Sequence, residues 1–363
     1  MASVRLPILA GIVLVAAACG GTSSESTPAP ATTTTTPVAT TTSIPATTTT
    51  TPSSSGPTTT ARPTTTTVPA TTTTTRLAAP GTISATPSLP DGRPRTFLAV
   101  TNDFEAVEVD TETGAVLRSI GQAGSRADLE TAEVAAAVNV IDAVWRTIDG
   151  SILVVSECCE PAAGAVHVLT AGDQWAFDSP TIPGWAAGAS PTTAEVAIVG
   201  YEVQVGRPDR WRYRDLLDPE AIGYASGSPA WSRDGDRVYW VAEIPTGTSL
   251  QWVLAELELS TGETSAAVLE WVPQDARLSG LAARSSGELV TIVTTDAFAY
   301  SEGAVMSPSG ALVEQFEVPE GTVLGSFDPT GTYLITVDGS GTVRWEGGGR
   351  IGTLAEGYLF ASW

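Results

Sequence analysis

Hydrophobic residues divide the chain into three zones. An almost unbroken apolar run extends from Leu6 to Ala18, large apolar side chains are nearly absent from Gly20 to about Pro90, and short apolar runs recur over residues 93–363. In the third zone Gly, Asp and Pro separate these runs at intervals of about ten residues, which is typical of many short antiparallel strands. Only residues 128–137 have a pattern compatible with a helix. The third zone is therefore predicted to be an all-β domain.

A longer repeat groups the short apolar runs. Residues 228–241 (SPAWSRDGDRVYWV) and 324–337 (LGSFDPTGTYLITV) each contain a strand of small residues ending in an aromatic residue, a turn with Gly, and a second apolar strand. Weaker copies occur at three other places: 143–155, 187–199 and 281–293. A third and a fourth strand follow, most clearly at 251–259 and 264–269. Four antiparallel strands that recur about every 45 residues indicate the blades of a β-propeller.

This repeat resembles that of the WD40 and TolB-like propeller superfamily, whose blades often carry a strand, an SPDG-type turn and a second strand. Residues 90–100 match a turn and second strand without a first strand, and residues 357–363 match a first strand ending in an aromatic residue. Pairing of these two segments would close the ring and remove exposed sheet edges. We predict six four-stranded blades over residues 93–363. Because residues 200–222 are irregular, a propeller of five or seven blades is kept as an alternative prediction. A two-sheet β-sandwich is a further alternative.

The apolar run from Leu6 to Ala18 has the properties of a secretory signal. It follows a short start that contains Arg5, and at about 13 residues it is shorter than the ~20 that span a bilayer as a helix. A permanent transmembrane helix is therefore the weaker interpretation. Residues 1–18 are predicted to be a signal peptide.

The end of this run, LVAAACGG at residues 14–21, resembles the lipobox of bacterial lipoproteins, although Ala16 stands where a larger aliphatic residue is common. The resemblance implies cleavage before Cys19, lipidation of its thiol and attachment to the extracytoplasmic face of the cell membrane. Two or three acyl chains suffice for stable attachment. The alternative is cleavage after Ala18 by the general signal peptidase, which would leave Cys19 unmodified.

Residues 19–92 are predicted to be a disordered linker that follows the lipidated cysteine. From Gly20 to Pro90 the chain consists largely of threonine runs and prolines, with charges only at Glu25, Arg62 and Arg76. Such a segment cannot bury enough apolar surface to offset the entropy of ordering. Thr/Pro tracts are also typical acceptors of O-linked sugars, so a glycosylated stalk and a bare spacer both stay open.

The charge of the chain is strongly negative. It contains 40 Asp and Glu residues against 18 basic residues, all of them arginine, and its formal net charge is −22. Glu25 is the only acidic residue before Asp91, so the excess of negative charge belongs to the third zone. A field of this sign repels nucleic acid and anionic lipid headgroups, and no nucleic-acid partner is expected.

Candidate catalytic residues are few. The single histidine, His167, alternates with apolar residues as a strand position would, and a Ser-His-Asp or Cys-His nucleophile would have to use it. We interpret it as a structural residue. Three acidic pairs lack the spacing of a calcium loop and are interpreted as solvated turns: Asp103 with Glu105, Asp215 with Asp218, and Asp234 with Asp236. No Gly-rich phosphate loop is present, so nucleotide binding has no support. A single histidine also excludes a multi-His metal centre, and neither a cofactor nor a metal is expected.

Cys158 and Cys159 are adjacent and follow an apolar strand. Outside the cytoplasm thiols tend to be oxidised. Neighbouring Cα atoms are ~3.8 Å apart, however, whereas disulfides usually span ~4.4–6.8 Å. A strained vicinal disulfide, two free thiols and a bond to another chain all stay open.

Large aromatic residues have a structural interpretation in a propeller. Five tryptophans fall at predicted strand positions, where their rings would fill the wedge between blades: Trp231, Trp240, Trp252, Trp345 and Trp363.

The scarcity of candidate catalytic residues favours a binding module for a protein, peptide or glycan ligand over an enzyme. Two alternatives stay open: an extracellular hydrolase or lyase acting on a carbohydrate or ester, and the envelope-assembly subunit that the TolB-like resemblance implies. Asp, Glu, Arg and Tyr clustered at the channel mouth would favour the enzyme. A bare channel with an apolar patch would favour a binding partner.

Overall fold

The computed structural model describes residues 87–125, 140–157, 164–170, 172–175, 181–200, 203–207, 224–246, 249–295 and 300–363. Several sequence predictions concern residues outside these ranges: the signal peptide, the lipidated Cys19, the linker up to residue 86, the candidate helix at 128–137, the pair Cys158 and Cys159, and the pair Asp215 and Asp218. Across the described ranges, no helix has the length and apolar character needed to cross a membrane.

The described structure consists of 24 strands. In chain order they are β1 Thr96–Thr101, β2 Glu105–Asp110, β3 Val116–Gln122, β4 Val140–Arg146, β5 Ile152–Glu157, β6 Ala165–Leu169, β7 Thr181–Pro183, β8 Ala186–Ala189, β9 Val196–Val199, β10 Val203–Gly206, β11 Tyr224–Trp231, β12 Arg237–Thr246, β13 Ser249–Glu258, β14 Thr264–Val268, β15 Arg277–Leu278, β16 Ala282–Ala283, β17 Leu289–Thr295, β18 Tyr300–Met306, β19 Leu312–Glu317, β20 Val323–Phe327, β21 Leu334–Val337, β22 Thr342–Gly347, β23 Arg350–Glu356 and β24 Tyr358–Ser362.

These strands form six antiparallel sheets, which are the blades of a β-propeller. From the inner to the outer strand they are β24-β1-β2-β3, β4-β5-β6-β7, β8-β9-β10, β11-β12-β13-β14, β15/β16-β17-β18-β19 and β20-β21-β22-β23, numbered blades 1 to 6. Each inner strand contacts the inner strand of the next blade, and β20 contacts β24, so the ring is closed. Blade 3 has three described strands, and residues 208–223 after it lie outside the described ranges. The prediction of an all-β, six-bladed propeller is confirmed.

Closure of the ring takes the predicted form. Strand β24 pairs antiparallel with β1, with Leu98 opposite Ser362, Ala99 opposite Ala361 and Val100 opposite Phe360. The innermost strand of blade 1 therefore comes from residues 358–362, while its other strands come from residues 96–122. The five copies of the sequence repeat are the first hairpins of blades 2 to 6, namely β4–β5, β8–β9, β11–β12, β16–β17 and β20–β21.

The hydrophobic core lies between the blades. In the second strands of the blades, residues such as those at 152–155 and 196–199 are buried without alternation, because both faces of these strands pack on neighbouring blades. The outer strands β14, β19 and β23 are mainly exposed. All five tryptophans predicted to fill the wedges are buried, with at most 8% of each residue's surface exposed: Trp231, Trp240, Trp252, Trp345 and Trp363.

Candidate functional site

The ends of the inner strands surround a cavity of about 330 Å³, which we call the cup. All six blades contribute to its lining. The lining includes Ser88, Gly92, Pro94, Trp145, Arg146, Gly188, Ala189, Pro191, Ser228, Pro229, Trp231, Arg233, Phe327, Asp328, Pro329, Thr330 and Trp363. The cup thus joins residues from residue 88 to residue 363, which only closure of the ring brings together.

Small residues allow the inner strands to approach one another at backbone distance. In blades 4 and 5, Gly227 and Gly280 face each other, and the Leu281 amide donates a hydrogen bond to the Ser228 carbonyl oxygen over 2.8 Å. A Cβ atom placed on Gly280 would lie 2.4 Å from the backbone nitrogen of Ser228. On Gly325 of blade 6, it would lie 2.1 Å from the carbonyl oxygen of Ala361 in blade 1. The small-residue strand of the repeat is therefore a packing requirement at the channel wall.

The aromatic residue that ends this strand lies at the cup. Trp145, Trp231, Phe327 and Trp363 line it from blades 2, 4, 6 and 1. The indole Nε1 of Trp231 donates to the carbonyl oxygen of Gly188 in blade 3 over 2.9 Å, and this bond holds the ring against the neighbouring blade. The Trp145 ring packs edge-to-face on Phe360, and that of Trp363 on Phe97. These contacts give the cup a rigid aromatic wall.

Turns from different blades connect around the cup. Thr192 Oγ1 in blade 3 donates to the Asp234 carbonyl oxygen in blade 4 over 3.3 Å. The Ser285 amide in blade 5 donates to the Gly331 carbonyl oxygen in blade 6 over 2.9 Å. The Tyr333 hydroxyl in blade 6 donates to the carbonyl oxygen of Asp91, in the turn before β1. These bonds fix the position of the turns relative to one another.

Asp328 is the only acidic side chain among the described residues that line the cup, and hydrogen bonds from its own turn engage it. Its Oδ1 accepts hydrogen bonds from the backbone amides of Thr332 and Tyr333, each over 2.7 Å. Its Oδ2 accepts from the Thr330 amide over 3.0 Å and from the Thr330 hydroxyl over 2.6 Å. Asp328 is buried. Its carboxylate therefore stabilises the turn rather than facing a ligand.

The two arginines of the cup differ in their surroundings. The Nη2 of Arg146 lies 2.7 Å from Glu108 Oε1, and Arg118 contacts the other oxygen of the same carboxylate over 2.8 Å. Burial raises the pKa of Glu108, but hydrogen bonds and charge from Arg118 and Arg146 outweigh burial and lower the pKa below its usual value. Arg233, by contrast, donates through Nη1 to the carbonyl oxygen of Pro329. Within the described residues it forms no ion pair with a carboxylate.

His167 does not belong to the cup. It lies in β6, the third strand of blade 2, and is buried. Its Nε2 is 2.8 Å from the Oγ of Ser156, and its ring packs edge-to-face on Trp175. The structure thus confirms the predicted strand position of His167, and its side chain packs against its neighbours.

The described acidic pairs lie in turns. Ser232 and the backbone amide of Asp236 donate to Asp234, and these bonds, that of Ser232 foremost, lower the pKa of Asp234. Asp103 and Glu105 flank the turn between β1 and β2, where both backbone amides donate to the hydroxyl of Thr101.

Sequence reasoning did not identify the cup or Arg233. The available signal was the repeat itself, because its strand ends in an aromatic residue and its turn follows at once. In blade 4 that turn is SRDG, residues 232–235, and contains Arg233. A ring of such turns at one end of a propeller predicts a shared site, but not which side chains meet there.

Comparisons with known proteins give similarity in structure only. No protein-family model matches the chain, and no curated protein sequence matches it. The hydrazine synthase of Kuenenia stuttgartiensis is similar over 71% of this chain and 74% of its own, with 16% identity and a TM-score of 0.44. A chain of a nidogen/laminin complex is similar over 74% and 97%, with 11% identity and a TM-score of 0.46.

A protein described as TolB from Agrobacterium tumefaciens is similar over 72% of this chain and 88% of its own, with 12% identity and a TM-score of 0.40. At these values the likeness concerns the fold alone. It transfers no activity, substrate or partner to this chain.

Proposed function

We propose that this protein is an extracytoplasmic lipoprotein whose propeller binds a protein, peptide or glycan ligand in the cup. In this proposal lipid on Cys19 attaches the chain to the membrane, and the Thr/Pro-rich linker joins that anchor to the propeller. Residues 87–95, through which the linker continues into blade 1, form a turn that contributes Ser88, Gly92 and Pro94 to the cup lining.

The observation that carries the binding function is the composition of the cup. Its volume of about 330 Å³ lies at the lower end of the range of small-ligand sites, about 300–1,000 Å³. The lining combines aromatic rings and prolines with small residues, and neighbouring blades hold it in place. Rigid walls of this kind reduce the entropy that a ligand must overcome on binding.

The cup gives less support to a hydrolase. Glycoside hydrolysis by the usual mechanisms needs two carboxyl groups on opposite sides of the scissile bond. The described lining contains one acidic side chain, that of Asp328, which four hydrogen bonds from its own turn already engage. No tyrosine lines the described part of the cup either. The described lining residues therefore do not form the cluster of Asp, Glu, Arg and Tyr that is expected of an enzyme.

A cup-filling substitution tests the binding function. The full-length protein, extracted in detergent, is immobilised and exposed to envelope extract of the native bacterium, and the retained material is identified by mass spectrometry and glycan analysis. Ala189 is half-buried at the end of β8 and lines the cup, so Ala189→Trp would fill part of the cavity. Ala266→Trp, on the exposed outer strand β14, is the matched control.

The wild type and Ala266→Trp are expected to retain the same ligand. Ala189→Trp should retain at most about one tenth as much of the ligand. A tenfold decrease in affinity corresponds to a loss of about 1.4 kcal/mol of binding free energy. Equal retention by all three proteins, or retention by none, would contradict a ligand site in the cup.

A further inference from the structure

We propose that the ligand of the cup carries a carboxylate, that Arg233 recognises it, and that an apolar body attached to the carboxylate occupies the aromatic wall. This inference rests on the proposed binding function of the cup. It adds the chemical class of the ligand and names the residue that selects it.

The position of Arg233 suits the recognition of an anion at the cup. It lies in the turn between β11 and β12 of blade 4, and its guanidinium reaches the Pro329 carbonyl oxygen in blade 6. The hydrogen bond therefore joins two blades that are not neighbours in the ring, because blade 5 lies between them. Arg233 is exposed to solvent although the bond restricts its side chain. A ligand entering the cup would meet a guanidinium that is already positioned.

The hydrogen bonds still available on Arg233 match a carboxylate. A guanidinium has five N–H donors, and the bond to Pro329 uses one on Nη1. The edge formed by Nε and Nη2 remains, and this edge can donate two parallel bonds to the two oxygens of a carboxylate. Bidentate recognition of this kind is specific to the planar anion, because an amide of the same shape offers only one acceptor oxygen.

The distribution of charge favours a ligand with a single negative charge. Arg146, the other arginine of the cup, donates to Glu108, a carboxylate that it shares with Arg118, and Asp328 adds a negative charge to the lining. The whole chain carries a formal net charge of −22, whose field opposes the approach of multiply charged anions such as phosphate esters. Arg233 is the arginine of the cup that has no carboxylate partner among the described residues, and in these surroundings a monocarboxylate is the better match for it.

The remaining lining supplies the apolar part of the site. Trp145, Trp231 and Phe327 contribute aromatic surface, and Pro191 and Pro229 contribute rigid aliphatic surface. Such surfaces stabilise an apolar group by removing it from water. The ligand class is therefore an apolar carboxylic acid, whether it is a free acid or the carboxylate terminus of a peptide with an apolar side chain.

Binding of matched acid and amide probes tests the proposal. The full-length protein is titrated with 3-phenylpropionate and with 3-phenylpropanamide, and binding is followed by ligand-observed NMR. These probes have the same shape and differ in charge. The wild type is expected to bind the acid about 10- to 100-fold more tightly than the amide, which is the usual effect of hydrogen bonds to a charged group.

Two variants assign this preference to Arg233. In Arg233→Gln the acid should bind no more tightly than the amide, whereas Arg350→Gln, on the exposed outer strand β23, should retain the preference of the wild type. Equal thermal unfolding of both variants and the wild type shows that the fold is unchanged. The proposal is overturned if the wild type does not bind the acid, binds both probes equally, or keeps its preference in Arg233→Gln.

Failure of this inference can be separated from failure of the binding function. If Arg233→Gln has no effect but Ala189→Trp still abolishes capture of the envelope ligand, the cup binds a ligand of different chemistry. If Ala189→Trp also has no effect, the cup is not the binding site and both proposals are wrong.

Discussion

Gly227 and Gly280 show how single residues determine whether the ring can form. Their φ angles are 65° and 106°, a region that glycine adopts without the penalty that other residues incur. The two residues also meet where the inner strands of blades 4 and 5 join through the bridge between Ser228 and Gly280. Backbone conformation and lack of space therefore both require glycine at position 280.

Comparison of Gly280→Ala with Gly287→Ala separates these two requirements. Gly287 has a φ of 89° but nothing within 4 Å of its virtual Cβ, so alanine there incurs only the conformational cost, about 1–3 kcal/mol. Gly280→Ala adds a clash with the Ser228 backbone and should lower the free energy of unfolding by about 1–3 kcal/mol more. Denaturation by urea measures both values. Equal destabilisation would show that the blade 4–5 contact relaxes without cost.

Individual residues were also the least predictable part of the site. The position of Arg233 in a turn followed from the SRDG segment, whereas its bond to Pro329 joins residues 96 positions apart. That contact exists only because the ring places blades 4 and 6 around a common cup. A sequence pattern predicts local turns, but it does not predict which turns lie close together across the channel. For the same reason the sequence could not predict that Arg146 pairs with a carboxylate whereas Arg233, among the described residues, does not.

At the scale of elements, the first hairpin of each blade was the most predictable feature. In blades 2, 4, 5 and 6 its turn contains Asp or Gly, and its second strand is a run of apolar residues, so both signals are local. The two halves of blade 1 were also predictable, because residues 90–100 lack the strand that residues 357–363 supply. The strands of blade 3 were harder to assign, because β8, β9 and β10 have only four residues each.

Strand β24 should be essential for a stable propeller. It covers the edge of β1 and places Tyr358, Phe360 and Trp363 in the core. Each large apolar side chain contributes about 1.5–3 kcal/mol on burial, so their joint loss is comparable with a total stability of about 5–15 kcal/mol.

Deletion of residues 357–363 is therefore expected to abolish cooperative unfolding in urea and to expose an aggregation-prone sheet edge. Addition of a synthetic peptide with the deleted sequence should restore part of the folded signal. A truncated protein that unfolds at the urea concentration of the wild type would show that β24 is dispensable for closure.

At the scale of the whole molecule, the proposed function combines a closed propeller, a cup at one end of its inner strands and a lipid anchor. The turn before β1 joins the linker to blade 1 and donates residues to the cup lining. The acidic character of the chain disfavours nucleic acid and anionic headgroups as ligands, so lipid on Cys19 is the proposed attachment to the membrane. Display at a membrane therefore depends on the modification of one residue.

Mass spectrometry of the protein from the membrane fraction of the native bacterium tests this claim most directly. The predicted result is an N-terminal peptide that begins at Cys19 and carries a diacylglyceryl group. Cys19→Ala should lose that group and leave the membrane fraction while the propeller remains folded. A mature protein with an unmodified Cys19, or one that begins at another residue and is released in soluble form, would contradict a membrane-anchored binding module.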